Sequence, residues 1–283
     1  MTLTYVYCLV RSAKAPLLRD VPGGMPGAGV VRALAAGGGL WAVVSSVPAS
    51  EYDEAALARG LQDLDWVGRR GMAHESVVEH FLTARAVLPM QLFTLFTSDD
   101  RALEYVAGER RRIDRILSRL ERQLEWGLRL SFDEQAARAA VEETHRSRRG
   151  RSRRTESGAA YLARKRDLFD VTRVQLTQAK TAADRLYRAM SRQATDSRRR
   201  AATEQATPGS RLLLDAAFLV PTGRAGAFRT ALRQNASKLS GSGLVVSLTG
   251  PWPAYNFVDS AARRRTSRTR RATTSSRAGR SAR

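Results

Sequence analysis

The side chains best suited to acid–base or ligand chemistry are few in this chain. It has three histidines and one cysteine, and histidine is the residue whose charge changes near neutral pH. His74 and His80 fall in AHESVVEHF (73–81), which superficially resembles a zinc motif. A helical zinc pair needs its histidines four residues apart. Here the spacing is six, which separates them by about 120° around a helix. Glu75 and Glu79 share a helical face, but two carboxylates without further ligands make a weak site. His145 stands in an arginine-rich stretch and is expected in solvent. Cys8 lies in an alternating apolar run, which predicts a small core residue.

Other catalytic patterns fail in the same way. The sequence contains no G-x-S-x-G. PGGMPGAG and AAGGGL supply neither a phosphate-loop lysine nor a G-x-G-x-x-G that opens a helix. Turn geometry is the use expected of those glycines. The reading is a protein without catalytic, metal or cofactor residues, and not an enzyme.

Charge singles out two further stretches. Of a formal net charge of +21, nine arginines stand in residues 261–283 and six in 146–154, neither with an acid. Together they are fifteen charges, which leaves 21 − 15 = +6 for the remainder. Such tracts attract any polyanion through counterion release. The tail has none of the aromatics that single-strand readers stack on bases. Nucleic acid is therefore expected to bind only non-specifically, and a polyanion-binding protein is the alternative function. A lone cysteine fits a reducing compartment. The amino terminus lacks a signal-peptide pattern and no apolar run reaches 18 residues, so a cytoplasmic protein is expected.

The elements that would position these residues alternate. TYVYCLV (4–10), GVVRAL, LWAVVSSV (40–47) and AVLPMQLFTLF (86–96) read as strands, with a Pro/Gly loop over 15–29. Residues 54–82 read as helical with a break at Gly68 and Gly71. Ser98 before two aspartates predicts a helix start, followed by an apolar stripe from Leu103 to Leu124. EWGLRLSFD (125–133), RLLLDAAFLVP (211–221) and GLVVSLTG (243–250) are further strands, and 223–239 is a helix. Between them, 158–194 predicts one long helix with a seven-residue apolar seam at Leu162, Phe169, Leu176, Ala183 and Met190. Its Leu162, Phe169, Leu176 and Met190 are candidates for binding a partner; the alternative is that the seam packs within its own domain. The fold class is α+β with two lobes. The expected boundaries are 1–124, 125–260 with an Arg-rich linker at 142–157, and a disordered tail from 261 to 283.

TGPWPAYNF (249–257) stiffens the chain end. Gly250 lets the strand turn out, and Pro251 and Pro253 fix an extended exit. Trp252, Pro253, Tyr255 and Phe257 are expected to form a structural clasp. Burial of Trp252 alone would contribute about 5 kcal/mol over roughly 200 Å².

In order along residues 4–258, YVYCLV, LWAVVSSV, DWVGRRGMAHESVVEHF, VLPMQLFTLF, EWGLRL, SGAAYLARKRD, AFLVP and LTGPWPAYNFV resemble the GvpF/GvpL family of gas-vesicle accessory proteins. Ala254 and Gln91 depart from its pattern, where a second proline and a basic residue are usual. The resemblance implies a ferredoxin-like variant followed by an α+β lobe with long helices, without catalytic residues. It further implies a role in gas-vesicle assembly, at the vesicle and in the cytoplasm. The partners it implies are the GvpA-like shell protein and other accessory proteins.

Overall fold

The computed structural model describes residues 1–137, 139, 158–201, 209–239 and 243–258, with the backbone alone over 158–172. The expected linker (142–157) and tail (261–283) lie outside these. The chain divides into two units, the first made of Met1–Leu124 together with the chain from Trp252 onward, the second of Glu125–Pro251. The sequence reading carried the second domain to residue 260; the structure ends it at Pro251 and returns the following segment to the first.

In the first unit, β1 (Thr2–Arg11), β2 (Arg32–Ala35), β3 (Leu40–Pro48) and β4 (Ala86–Pro89) form an antiparallel sheet in the order β2-β3-β1-β4. That is the plan of a β-α-β-β-α-β unit, with coil in place of the first crossover helix. The coil is anchored rather than loose. Met25 is buried, its N–H donates to the Tyr7 hydroxyl at 2.8 Å, and the Tyr52 hydroxyl donates to the Pro26 carbonyl at 2.7 Å. The second crossover holds α1 (Ala49–Tyr52), α2 (Glu54–Gly60) and α3 (Leu64–His80). Val77, Val78 and Phe81 pack on Tyr5, Val10, Val43 and Val87 of the sheet.

Two expectations need correction here. The helical stretch breaks at residues 61–63, not at Gly68 and Gly71, which lie inside α3. Asp63 decides the break, its carboxylate accepting from the N–H groups of Asp65 and Trp66 as an N-cap. The single strand expected over 86–96 is two, β4 and β5 (Leu95–Phe96). Phe93 between them takes φ of +65° and donates its N–H to the Tyr5 hydroxyl. The expected helix start at Ser98 is there, its hydroxyl accepting from Arg101 N–H. The helix after it is split at Glu109 into α4 (Asp99–Gly108) and α5 (Arg110–Leu120), which buries Ile113, Ile116, Leu117 and Leu120.

The second unit has β6 (Gln123–Asp133), α6 (Gly158–Ser191), β7 (Asp196–Arg199), β8 (Ser210–Pro221), α7 (Ala225–Ser237) and β9 (Leu244–Trp252). Its sheet order is β7-β8-β6-β9. Counted from its own first strand this is again 2-3-1-4, the order of the first unit. The sequence reading missed β7, whose DSRR carries no apolar pattern. It is held instead by charge: Asp215 on β8, 6% exposed, accepts from Arg200 Nε at 2.8 Å. Gly127 on β6 lies where a Cβ would come within 2.5 Å of the Thr249 hydroxyl on β9, so a larger residue there would have to displace that hydroxyl.

Added Cβ atoms at Gly68 and Gly71 would meet nothing within 4 Å, whereas one at Gly60 would lie 2.7 Å from the Trp66 indole. Gly68→Ala and Gly71→Ala should each raise stability by about 0.5–1 kcal/mol. Gly60→Ala should lower it, all three read by urea unfolding.

Candidate functional site

Among the described residues, His74 is the histidine that the fold encloses. It sits on α3 at 3% exposure, with its Nδ1 2.7 Å from the Tyr5 hydroxyl. That hydroxyl also accepts the Phe93 N–H at 3.3 Å, so Tyr5 ties His74 on α3 to the turn between β4 and β5. Tyr5 and Tyr7 pack against each other at 4.8 Å, and each lies 5.8 Å from the His74 ring. Burial pushes His74 down to about 4 against a smaller opposing contribution from a Met90 backbone hydrogen bond. A histidine this acidic, in tyrosines whose own burial raises them, does not exchange protons near pH 7.

His80, by contrast, is on the surface side of α3 with Nε2 3.3 Å from the Leu17 carbonyl. The two histidines therefore have separate environments. No group of three or more His, Cys, Asp or Glu able to hold a metal occurs among the described residues. Cys8 is buried, and burial raises its thiol pKa. Beside the cluster, Arg70 spans two rings, 3.8 Å above Trp66 and 5.2 Å from Tyr52, and pairs with Glu51 at 3.3 Å. Nothing in the sequence pattern marked Arg70, which stands beside Arg69 four residues after Trp66.

The chain end closes this cluster. Gly250 takes φ of +110° and the Gly250–Pro251 bond is cis. Beyond it Pro253 and Ala254 are buried, and Phe257 is fully buried in a 3₁₀ turn. Tyr255 lies 6.5 Å from the His74 ring and beside Glu75, and burial raises its hydroxyl pKa. Three residues on, Val258 lines an apolar cleft of about 240 Å³ with Leu9, Leu88, Met90, Ile113 and Ile116. Trp252 differs from expectation. It is 37% exposed, so the burial assigned to it from the sequence belongs to Phe257 and its neighbours instead. The indole is held at the turn-out, ahead of the segment that packs.

The seam of α6 is divided. Met190 is fully buried, with Ala179, Ala183 and Leu186, in the second unit's core. Leu176 is half-buried against Phe132, Ala137 and Ala179. Met190 is therefore core and closed to a partner, a correction to its candidacy. The side chains of Leu162 and Phe169 lie outside those described.

The geometry defines a class of protein: two α+β units of one topology, with the buried histidine and tyrosines committed to packing under the chain's own end. The family profile described as "Gas vesicle synthesis protein GvpL/GvpF" matches residues 3–259, and the chain belongs to this family. It is 32% identical over 259 residues to gas vesicle protein L of Streptomyces sp. (strain CB03234), covering 90% of this chain and 92% of that one. Gas vesicle protein F of the same strain is 26% identical over 261 residues, covering 90% and 99%. The fold is shared with the crystal structure of GvpF from Anabaena sp. PCC7120, with a TM-score of 0.64 at 13% identity over 92% of this chain and 97% of that one. GvpF from Microcystis aeruginosa gives 0.61 at 14% identity, over 91% and 99%.

Two outcomes follow from the closed cluster. Phe257→Ala should cost about 3–5 kcal/mol and Trp252→Ala much less, measured by chemical unfolding. The sign for His74 is that of a depressed base: the unfolded chain binds its proton from about pH 6.5, the folded one only near 4. Stability is full above pH 6.5 and falls as pH drops toward 4, by roughly 3 kcal/mol. His74→Gln should flatten the unfolding free energy over that window.

Proposed function

We propose that this chain is a non-enzymatic assembly protein of gas vesicles that contacts the hydrophobic shell protein and other accessory proteins while the vesicle forms, in the cytoplasm and at the vesicle. One observation carries the reading: the family match spans residues 3–259, so it takes in both units and the closing segment together. The physical task is plain. A shell subunit with a strongly apolar face exposes more hydrophobic surface than a soluble monomer tolerates. A protein that offers an apolar groove or a sheet edge to such a subunit keeps it from aggregating until it is added to the shell. Among the described residues no helix is long and apolar enough to cross a membrane.

The arginine tail begins just past the family match, and the assembly role is proposed without it. Removing the gene from its cluster should abolish or sharply reduce vesicles, counted by electron microscopy. Re-expression of residues 1–260 should restore them nearly as well as the full chain. Vesicles of normal number without the gene would overturn the reading, and failure of 1–260 to restore them would assign the tail a necessary part.

A further inference from the structure

Among the described residues the sheet edges are β2, β4 with the two-residue β5 beside it, β7 and β9, and all but β9 are defended. An edge strand leaves a row of main-chain donors and acceptors open to pairing, and proteins blunt it by shortness, charge or cover. β2 has four residues and begins with Arg32, which is bound to Asp99 at 2.7 Å. β4 also has four, all buried. β7 is DSRR, with Arg199 paired to Asp184. The fourth edge, β9, is LVVSLTGPW: nine residues, no charge, none buried. Its topological counterpart in the first unit is β4.

The face of β9 toward α7 is also uncovered. Arg229, Leu232, Arg233, Ala236, Val246 and Leu248 line an open groove of about 410 Å³. Its floor is apolar, and its rim carries Arg229 and Arg233, both exposed, one turn apart on α7. Arg233 bonds the Thr230 hydroxyl at 3.2 Å and Arg229 lies 5.8 Å from the Trp126 ring; neither contact supplies a carboxylate.

The geometry points to β9 as a docking edge. We propose that it takes up a strand of about six residues from another gas-vesicle protein, paired along Leu244–Thr249. That strand carries apolar side chains onto Leu232, Ala236, Val246 and Leu248, and carboxylates beside Arg229 and Arg233. Strand addition satisfies both features at once, because backbone pairing uses the open edge and alternate side chains enter the groove. The occupant is acidic because the rim is basic. This excludes the chain's own arginine tracts at 146–154 and 261–283. A second copy paired edge to edge through β9 would set arginine against arginine. The inference rests on the assembly role proposed above and names the surface that serves it.

The test uses the full chain with a photo-crosslinking amino acid at Ser247, exposed on β9, expressed with the rest of its gas-vesicle gene cluster in a strain that lacks the native copy. The expected result is an adduct with another protein of the cluster, mapped by mass spectrometry to an acidic, strand-length segment. Arg229→Glu with Arg233→Glu should cut its yield at least tenfold at unchanged melting temperature. The Lys–Lys pair at the same positions should retain most of it. No adduct, an adduct only with a second copy, or a yield indifferent to charge reversal would overturn the docking edge. Vesicle counts in the same strains separate the two readings. If vesicles need the chain but tolerate the charge reversal, the edge proposal alone fails; if they do not need the chain, the assembly role itself fails.

Discussion

The first unit is completed by residues that the chain reaches only after building the second. Tyr255 meets His74, and Phe257 is fully buried, about 170 residues beyond β4 in the sequence. The reason lies in the first sheet. Its tyrosines, Tyr5 and Tyr7, are large and polar at the tip, and burying them requires partners for their hydroxyls. His74, Ser45 and the N–H groups of Met25 and Phe93 supply those partners. Once the hydroxyls are bound inward, apolar surface remains over α3, and the closing segment covers it. The rigidity of that segment serves the same end, since two prolines reduce the entropy lost on fixing it. His74 is thus neutral for a structural reason, and its depressed pKa is the consequence of enclosure rather than a sign of catalysis.

Both units solve the problem of a four-stranded sheet with the same strand order, 2-3-1-4, yet they close it differently. The first unit replaces one crossover helix by anchored coil and adds α4, α5 and the returning chain end. The second keeps both helices, α6 and α7, but nothing follows β9 within it, because the chain leaves at Pro251. The difference in edge exposure between β4 and β9 follows directly from this route. A segment committed to closing one unit is not available to cover the other.

Strands and helices with strong local patterns are legible in the sequence. β1 and β3 are dense in β-branched and aromatic residues, β6 alternates apolar side chains from Leu124 to Phe132, β8 carries long apolar runs, and α4 announces itself through Ser98 and two aspartates. What is not legible depends on partners distant in sequence. β7 has no apolar residue and is held by its ladder to β8, with Arg199 paired to Asp184 and Arg200, just beyond it, to Asp215. Phe93 breaks a strand-like run because Tyr5, 88 residues away, takes its N–H. Trp252 looks like the anchor of its motif by size alone, and only the path of the backbone through Gly250 shows that Phe257 takes the buried place. The α6 seam reads as one surface at seven-residue steps, while the cluster of Phe132, Ala137 and Ala179 claims part of it.

The segments that carry the family resemblance can be read the same way. In EWG, Trp126 packs 6.3 Å from Phe228 under α7, and Gly127 allows β9 to approach β6. In AHESVVEH, His74 holds Tyr5 while Val77 and Val78 fill the first core. In GPWPAYNF, glycine turns the chain and Phe257 closes the cluster. Each is fixed by packing inside one unit. β9 meets two of these segments: Gly127 on β6 lies opposite Thr249 on one side, and GPWPAYNF takes over at its end. Among the described residues its other side is unpaired along Leu244–Thr249.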